Sequence, residues 1–552
     1  MSLRMFVPCL LLGSFVLCAQ VRAASLEENV TTYLKEHTQG ESSGIAVLLA
    51  RDGKILFQHG FGTADLEHKV PVSAATKFRI GSVTKQFTAA AMLKLAEENK
   101  LNLTDPLAKY FPKIPHAQEI QLHQLLTHVS GIHSYTDNPG FLQAVTKRIE
   151  PAELIHSLED DPPDFEPGKG FHYNNSAYFL AGEIVAQVAG KSFGAYLEEV
   201  FFQPLGMKHT GIYENAAPPS ECAKGYSFND GKLEPALEWD MSWAGGAGAL
   251  YSTVEDLFLW SEALHGGKVL RPESYQAQIT PVQLPEGVDG MHYGYGLVIA
   301  ELAGLPTIGH GGGLNGWSSD LLCVPAQRTV AVVLTNALPP KPDVAAAILN
   351  QKMVKELLAD EIKKIPAPVI DTSVDPKTYA PLVGRYDYKT AVLTVTVEKD
   401  RIFAQLTGQE KFEIFPKATR EFFWKVTDAK VKFLTNEKGG ITAAEHTQGG
   451  TTFKAPRLAD TPEITLTNAE MDAVLGEYEY SPKMILTVTR KETQLFAKMT
   501  SQPEAPIFAK SATEYAWRIV PASVEFIKNS EGKVTKAIHH QGGQTIEAPK
   551  IK

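Results

Sequence analysis

Phe78-Arg79-Ile80-Gly81-Ser82-Val83-Thr84-Lys85 opens a stretch that continues through Gln86-Phe87-Thr88-Ala89-Ala90-Ala91-Met92-Leu93. The spacing predicts a helix running to about Glu98. It is apolar on nearly every side, and a helix of that kind belongs in the interior of a protein. Ser82 and Lys85 are three residues apart, so they share one helix face with Cβ atoms about 5–6 Å apart. A serine hydroxyl is a poor nucleophile until a neighbour takes its proton. A lysine stripped of water can do that, directly or through a relay. A serine on the first helical turn also has free backbone N–H groups beside it. Alone, S-x-x-K is a weak motif that a capping serine and a solvated lysine satisfy equally well. The apolar run is what argues for chemistry, because it takes Lys85 inside without a structural reason.

The chain has 552 residues, too many for one core, so two to four domains are expected. Charged residues make up 21% and apolar residues 44%, which suits a soluble globular protein. Residues 1–23 stand apart: Arg4 precedes the apolar run Phe6–Ala19, and Val21-Arg22-Ala23 offers a small-residue cleavage site. That is the pattern of a secretory signal peptide, and the run is shorter than the roughly 18–20 residues that span a bilayer. Bulky Leu17 before Cys18 argues against lipidation. The expected location is therefore exported, periplasmic or secreted, with no integral membrane segment after cleavage. The formal charge is −10 and grows more negative as Arg4 and Arg22 leave. No basic patch stands out, which excludes nucleic acid as a partner. Only Cys222 and Cys323 remain after cleavage, too few for a disulfide framework, and two buried free thiols are preferred to a pair.

Leu26 to Gln39 has the spacing of an amphipathic helix, and Gly44–Ala50 and Lys54–Gly60 are apolar runs joined by the hairpin signal Arg51-Asp52-Gly53. Four histidines follow the central helix: His116, His123, His128 and His133. Their spacings fit no single helical face and few carboxylates accompany them, so surface and capping roles are preferred to metal binding. Leu125 to Gly131 reads as a helix stopped by glycine. Phe171-His172-Tyr173-Asn174-Asn175-Ser176 leads into a helix over about Ala177–Ala189, ended by Gly190. Ala244-Gly245-Gly246-Ala247-Gly248-Ala249 is too rich in glycine for ordinary core. Ser252-Thr253-Val254-Glu255 resembles a capping box. Gly309-His310-Gly311-Gly312-Gly313 follows a short apolar entry and reads as a tight turn or a point of close approach. Strands over Ser319–Val324 and Thr329–Thr335 and a closing helix over Asp343–Lys364 complete the domain.

After Ile365-Pro366-Ala367-Pro368-Val369 the character turns to β, and an internal repeat appears. Val383-Gly384-Arg385-Tyr386 matches Leu475-Gly476-Glu477-Tyr478, Trp424 matches Trp517, and His446-Thr447-Gln448-Gly449-Gly450 matches His539-His540-Gln541-Gly542-Gly543. Each copy is a run of short alternating strands, so each is expected to be a small antiparallel barrel. The paired His and Gln are potential ligand groups, although a hairpin with polar shoulders explains them as well. The expected organisation is a signal segment over 1–23, a domain over 24–364, a linker over 365–380, and β units over 381–458 and 473–552.

Ser82-Val83-Thr84-Lys85, Tyr173-Asn174-Asn175 and His310-Gly311-Gly312 occur in that order. Together they resemble the three motifs of the serine β-lactamase and penicillin-binding-protein superfamily (peptidase family S12): S-x-x-K, Y-x-N, and K-T-G or H-x-G. Thr127-His128-Val129-Ser130-Gly131 and Ala244-Gly245-Gly246 are similar to stretches of that superfamily too. The resemblance implies an α+β fold: an antiparallel sheet flanked by helices, beside an all-helical region, followed here by the two barrels. It implies that Ser82 attacks an acyl carbonyl while Lys85 and Tyr173 share the proton work, the lysine's charge favouring a phenolate. Asn175 would hold Lys85 or the substrate amide, and Ser82 and Gly313 would offer the oxyanion-hole N–H groups. His310, Gly311 and Gly312 would contact substrate, and no cofactor or metal is needed.

His310 and Gly311 stand where β-lactamases carry the lysine and threonine that grip a carboxylate. An imidazole of ordinary pKa near 6.5 is mostly neutral at pH 7, so efficient β-lactam hydrolysis is disfavoured. H-x-G with C-terminal barrels is closest in layout to D-aminopeptidase, in which a barrel loop narrows the active-site mouth. The expectation is a hydrolase of small peptide, amide or ester substrates. A class C-like β-lactamase, a DD-peptidase, and a penicillin-binding protein acylated without turnover are the alternatives. Homo-oligomer formation is left open.

Overall fold

The computed structural model describes residues 27–552 apart from 37, 39–41, 230–231, 286–287, 339, 341–344, 389–390, 449–450, 460–463, 465, 482–483, 501–503, 521 and 542–543. The expected signal segment, 1–23, lies outside the described residues, as do the Gly-Gly pairs of both repeat hairpins. Among the described residues no helix is long and apolar enough to cross a membrane. The chain divides into two units at Pro366–Ala367.

The first unit is built on a six-stranded antiparallel sheet. Its strands are β1 (Ile45–Arg51), β2 (Lys54–Phe61), β3 (Val298–Leu302), β4 (Leu305–Leu314), β5 (Trp317–Val324) and β6 (Thr329–Thr335), in the order β3-β4-β5-β6-β1-β2. β1 pairs with β6 from Ile45–Thr335 to Arg51–Thr329, which joins the two ends of the unit in one sheet. Both faces are covered, and that is why β1 is apolar throughout. Ala46, Leu48 and Ala50 join one core with Leu257 and Trp260, while Ile45, Val47 and Leu49 join another with Leu349, Met353 and Val354.

Helix α1 (Thr84–Glu97) follows a single 3-10 turn, Gly81–Val83, that carries Ser82. Thr84 through Leu93 are all buried, so the helix is central as its composition requires. α2 (Asn175–Ala189) starts two residues before the expected point, because the Asn174 side chain accepts a hydrogen bond from the Ala177 N–H at 2.8 Å. Gly190 ends it at φ 66°. The glycine-rich stretch is a short helix, α3 (Gly245–Gly248), pressed against α2. A Cβ on Gly182 would lie 2.9 Å from the Gly246 Cα, and one on Gly246 would lie 2.6 Å from the Tyr178 carbonyl oxygen. α4 (Val254–His265) is capped by Thr253, and α5 (Ala346–Leu357) packs on the sheet.

Two expectations need correction, and one open alternative is resolved. The helix expected over Leu125–Gly131 covers Leu122–Leu126 instead, because His128 adopts φ 62° and breaks it before the glycine is reached. Of the two readings of residues 309–313, the turn is excluded: they are the body of β4, paired with β3 at Gly309–Val298 and with β5 at Gly313–Ser318. The second half of the supposed linker also belongs to the following barrel, with Val374 and Tyr379 buried in its core.

The second unit holds both repeats. Eight antiparallel strands run in chain order from Gly384–Asp387 to Thr451–Pro456, and eight more from Gly476–Ser481 to Gln544–Pro549. Each set curls until its first strand meets the end of its last, through Tyr386 and Arg457 in one copy and Tyr478 and Lys550 in the other. Tyr386 and Tyr478 are fully buried, and each donates to a carbonyl four residues back, Leu382 at 2.7 Å and Val474 at 2.8 Å. The sequence repeat is thus a repeat of internal hydrogen bonds. Cys222 and Cys323 are free thiols, Cys323 buried and Cys222 partly so.

Candidate active site

The expected residues converge on Lys85. Its side chain is fully buried, and Nζ lies 3.1 Å from Ser82 Oγ, 2.8 Å from Asn175 Oδ1 and 2.9 Å from the Ala247 carbonyl oxygen. Each partner comes from a different element: the turn before α1, the first residue of α2, and α3. The glycines of α3 therefore have a function, since only their close approach to α2 brings the Ala247 carbonyl to the amine. Thr88 Oγ1 on α1 donates to the Gly246 carbonyl at 2.6 Å and pins the same segment. Asn175 Nδ2 donates to Thr136 Oγ1 at 3.2 Å, so its amide is oriented with the carbonyl toward Lys85. Of the two roles open to Asn175, the geometry shows the one that holds the lysine.

Burial pushes the Lys85 pKa well below its ordinary value. A neutral amine has two hydrogens and one lone pair. Two carbonyl-type acceptors take the hydrogens, which leaves the lone pair facing Ser82 Oγ–H. The Tyr173 ring centre lies 4.8 Å from Lys85 Nζ, and its phenol feels the Ser82 hydroxyl. Burial raises the Tyr173 phenol. Desolvation thus drives both groups toward neutrality and favours amine plus phenol over the lysinium–phenolate pair implied by the resemblance.

Gly313, the second residue expected at the oxyanion hole, lies close to the Ser82 turn. A Cβ on Gly81 would lie 3.0 Å from the Gly313 nitrogen, and one on Gly312 would lie 2.0 Å from the Ile80 carbonyl oxygen. Strand β4 therefore lies directly against the turn that carries Ser82. Ser319 Oγ on β5 fixes the arrangement by donating to that Ile80 carbonyl at 2.8 Å. The Gly313 backbone is thereby brought close to the turn that carries Ser82.

His310 departs from expectation. It is 6% exposed, and both ring nitrogens are engaged within the protein. Nδ1–H donates to the Gly311 carbonyl, and Nε2 accepts from the Tyr293 hydroxyl at 2.7 Å. Burial lowers its pKa to about 3, so it stays neutral through the physiological range and supplies no charge to a substrate carboxylate. The sign follows directly: protonation would begin only near pH 3. KM for an acidic substrate, measured from pH 8 to 5 beside a matched neutral one, is expected to show no fall attributable to His310. A drop in KM confined to the acidic substrate, and lost in His310→Gln, would show that the imidazole charges.

Two central residues were not picked out as site residues from sequence. His128, expected as a surface or capping residue, is 1% exposed and lies among the site's aromatic rings. Its ring centre is 4.4 Å from Tyr173, 4.5 Å from Tyr293 and 5.2 Å from Tyr178, and its Nδ1 accepts the Asn174 N–H at 3.0 Å. The signal for it was the Thr127–Gly131 motif, not histidine spacing. Tyr293 carries no such signal. The other three histidines are more exposed: His116 beside Glu119 and Glu166, His123 against Gln121, and His133 against Asp164.

A family model described as "Beta-lactamase" matches residues 26–354, and one described as "Domain of unknown function (DUF3471)" matches residues 370–455. A protein of Bacillus subtilis (strain 168) described as "Putative penicillin-binding protein PbpX" is 33% identical over 262 residues, covering 48% of this chain and 64% of its own length, which is under two thirds. "Penicillin-binding protein 4*" of the same organism is 27% identical over 413 residues, covering 71% of this chain and 90% of its own. "D-aminopeptidase" of Gluconobacter oxydans (strain 621H) is 27% identical over 332 residues, covering 59% and 61%. Among solved structures, a D-amino acid amidase from Ochrobactrum anthropi SV3 superposes with a TM-score of 0.54 at 25% identity, covering 62% of this chain and 99% of its own.

Proposed function

The chain belongs to the beta-lactamase family of serine hydrolases, and from that premise we propose that it is an exported enzyme that opens small amide or ester bonds through an acyl-enzyme on Ser82. The observation that carries the reading is the Lys85 amine, fully buried, with two acceptors for its hydrogens and Ser82 Oγ as its remaining neighbour. Ser82 Oγ attacks the carbonyl carbon and its proton passes to Lys85 Nζ. The oxyanion that forms is held by the N–H groups of Ser82 and Gly313. Tyr173, whose ring lies beside Lys85, hands its phenolic proton to the departing nitrogen or oxygen and is reprotonated through Lys85. Water then cleaves the ester by the reverse of these steps. The amide preference draws on the relatives named D-aminopeptidase and D-amino acid amidase. A neutral His310 supports it, because a grip on the drug carboxylate by charge is missing.

The test is turnover of D-amino-acid amides, D-Ala-D-Ala peptides, p-nitrophenyl esters and nitrocefin, with the intact mass of the protein followed in parallel. The expected result is steady hydrolysis of amides or esters, a transient acyl adduct that peptide mapping places on Ser82, and slow nitrocefin turnover. A stable nitrocefin adduct without hydrolysis of any amide or ester would make this a penicillin-binding protein instead. An adduct on another residue would remove Ser82 from the reaction.

A further inference from the structure

The second barrel is hollow. Part of its interior is packed around Tyr478, Val488, Tyr515 and Phe526. Beside that core is a cavity of about 500 Å³ to which all eight strands contribute a lining residue. This is within the roughly 300–1,000 Å³ of small-molecule sites, and barrel mouths are one of their usual places. The lining is mainly apolar, and among the described residues no charged side chain faces it. Three exposed apolar side chains at its lining, Met484, Ile519 and Ile546, are 38%, 42% and 40% accessible.

The polar groups in this cavity are few and unspent. Tyr480 Oη and His539 Nδ1 are buried without a hydrogen-bond partner among the described residues, a costly condition for any polar atom. His539 Nε2 lies 3.3 Å from Gln541 Oε1, so with the amide in that orientation Nε2 carries the proton and Nδ1 is a bare acceptor. Burial keeps the imidazole neutral by lowering its pKa. The Trp517 ring lies tilted beside it, ring centres 5.2 Å apart, and the Tyr480 ring is 5.8 Å away.

The first barrel is an internal control. It carries the same set, Tyr388, Trp424, His446 and Gln448, and its Tyr388 Oη and His446 Nδ1 also lack partners among the described residues. There, however, the positions matching Ala505 and Ile546 are Phe412 and Phe453. The Phe453 ring sits 4.8 Å from Tyr388 and 5.4 Å from His446, against the polar set. One copy of the repeat has its polar set covered by an aromatic ring. The other replaces two phenylalanines with smaller residues and is open.

We propose that the second barrel is a binding site for an uncharged, mainly apolar small molecule bearing one hydroxyl group. The hydroxyl would accept from Tyr480 O–H and donate to His539 Nδ1, which satisfies both orphan atoms at once. A carboxylate would meet the His539 lone pair, and an ammonium would bring a charge with no counter-ion, so neither suits the cavity.

The probe is 1-octanol, titrated into the full chain and followed by calorimetry and tryptophan emission, with octanoate and octylamine as charged analogues. One saturable site per chain is expected, at least tenfold tighter for 1-octanol than for either ion. Ala505→Phe with Ile546→Phe, which rebuilds the interior of the first barrel, should abolish binding while the far-UV dichroism and the ester hydrolysis of the enzyme are unchanged. Tyr480→Phe should weaken 1-octanol at least fivefold, and it decides the matter if the double variant fails to fold. Absence of saturable binding, octanoate binding as tightly as octanol, or affinity undiminished in a folded variant of either kind would overturn the proposal.

Discussion

Lys85→Ala is expected to lower kcat on a p-nitrophenyl ester by about 10³–10⁴-fold, the upper part of the range for removing a positioned general base, with KM changed by less than about threefold. The asymmetry follows from where the amine sits. Lys85 Nζ is spent on Ser82, Asn175 and Ala247 and has no hydrogen left for a substrate, so its loss touches proton transfer rather than binding. Stability must be followed separately. The change removes a buried amine whose desolvation is costly, and it also strands two acceptors at about 1–3 kcal/mol each. Lys85→Met keeps the volume and should show the same kcat loss. Lys85→Arg should not rescue, because a guanidinium is never neutral in a protein. In the wild type, kcat/KM should rise with pH as Lys85 loses its proton, with a midpoint displaced below the ordinary lysine value in the direction that burial dictates. A kcat within tenfold of wild type in both Lys85→Ala and Lys85→Met would pass the role of base to Tyr173, and Tyr173→Phe would then have to carry the full loss.

What the sequence reveals of this site depends on the range over which each signal acts. S-x-x-K is local: helix geometry alone sets Ser82 and Lys85 together, and an all-apolar helix announces its own burial. The helix after Tyr173 is legible from its apolar run and Gly190, but its start is not, because the Asn174 side chain caps it two residues early. The barrels show because they occur twice, and repetition exposes positions such as Tyr386 and Tyr478 that a single copy would hide. The third partner of Lys85 is different. It is a backbone carbonyl, that of Ala247, and a carbonyl has no residue signature; only the surrounding glycines hint at it. His128 was misjudged because spacing is a poor guide for a residue that itself breaks the helix it follows. The glycines of β4 were left open between a turn and a close approach for a related reason. Glycine signals either a special conformation or a close approach, and sequence does not tell the two apart. Here it is approach, as the contact of Gly312 with Ile80 shows.

That contact sets the last prediction. Gly312 lies outside the left-handed backbone region, so alanine meets no conformational barrier there, and space alone decides the outcome. The added methyl would lie 2.0 Å from the Ile80 carbonyl oxygen and 2.4 Å from Ser319 Oγ, far inside contact distance. Ile80 is fully buried and cannot retreat without moving Gly81 and Ser82. Strand β4 must therefore shift, and Gly313 shifts with it, which takes its N–H from the position where charge develops. Loss of one oxyanion donor costs about 10²–10³ in kcat, so Gly312→Ala should fall by that amount on the same ester, with KM changed far less. Adding Ser319→Ala removes the 2.4 Å overlap but not the 2.0 Å one, and the backbone contact is the one that dictates the shift. The double variant should accordingly recover little of the lost rate. Recovery to within threefold of wild type would mean that the Ser319 side chain, not the Ile80 backbone, is what holds β4 in register with the nucleophile. A near-normal kcat in Gly312→Ala alone, with the fold intact by dichroism, would mean either that the strand absorbs the methyl without moving Gly313, so that the contact with Ile80 does not set its position, or that the Gly313 N–H is not an oxyanion donor; Gly313→Pro, which removes that N–H, would separate the two.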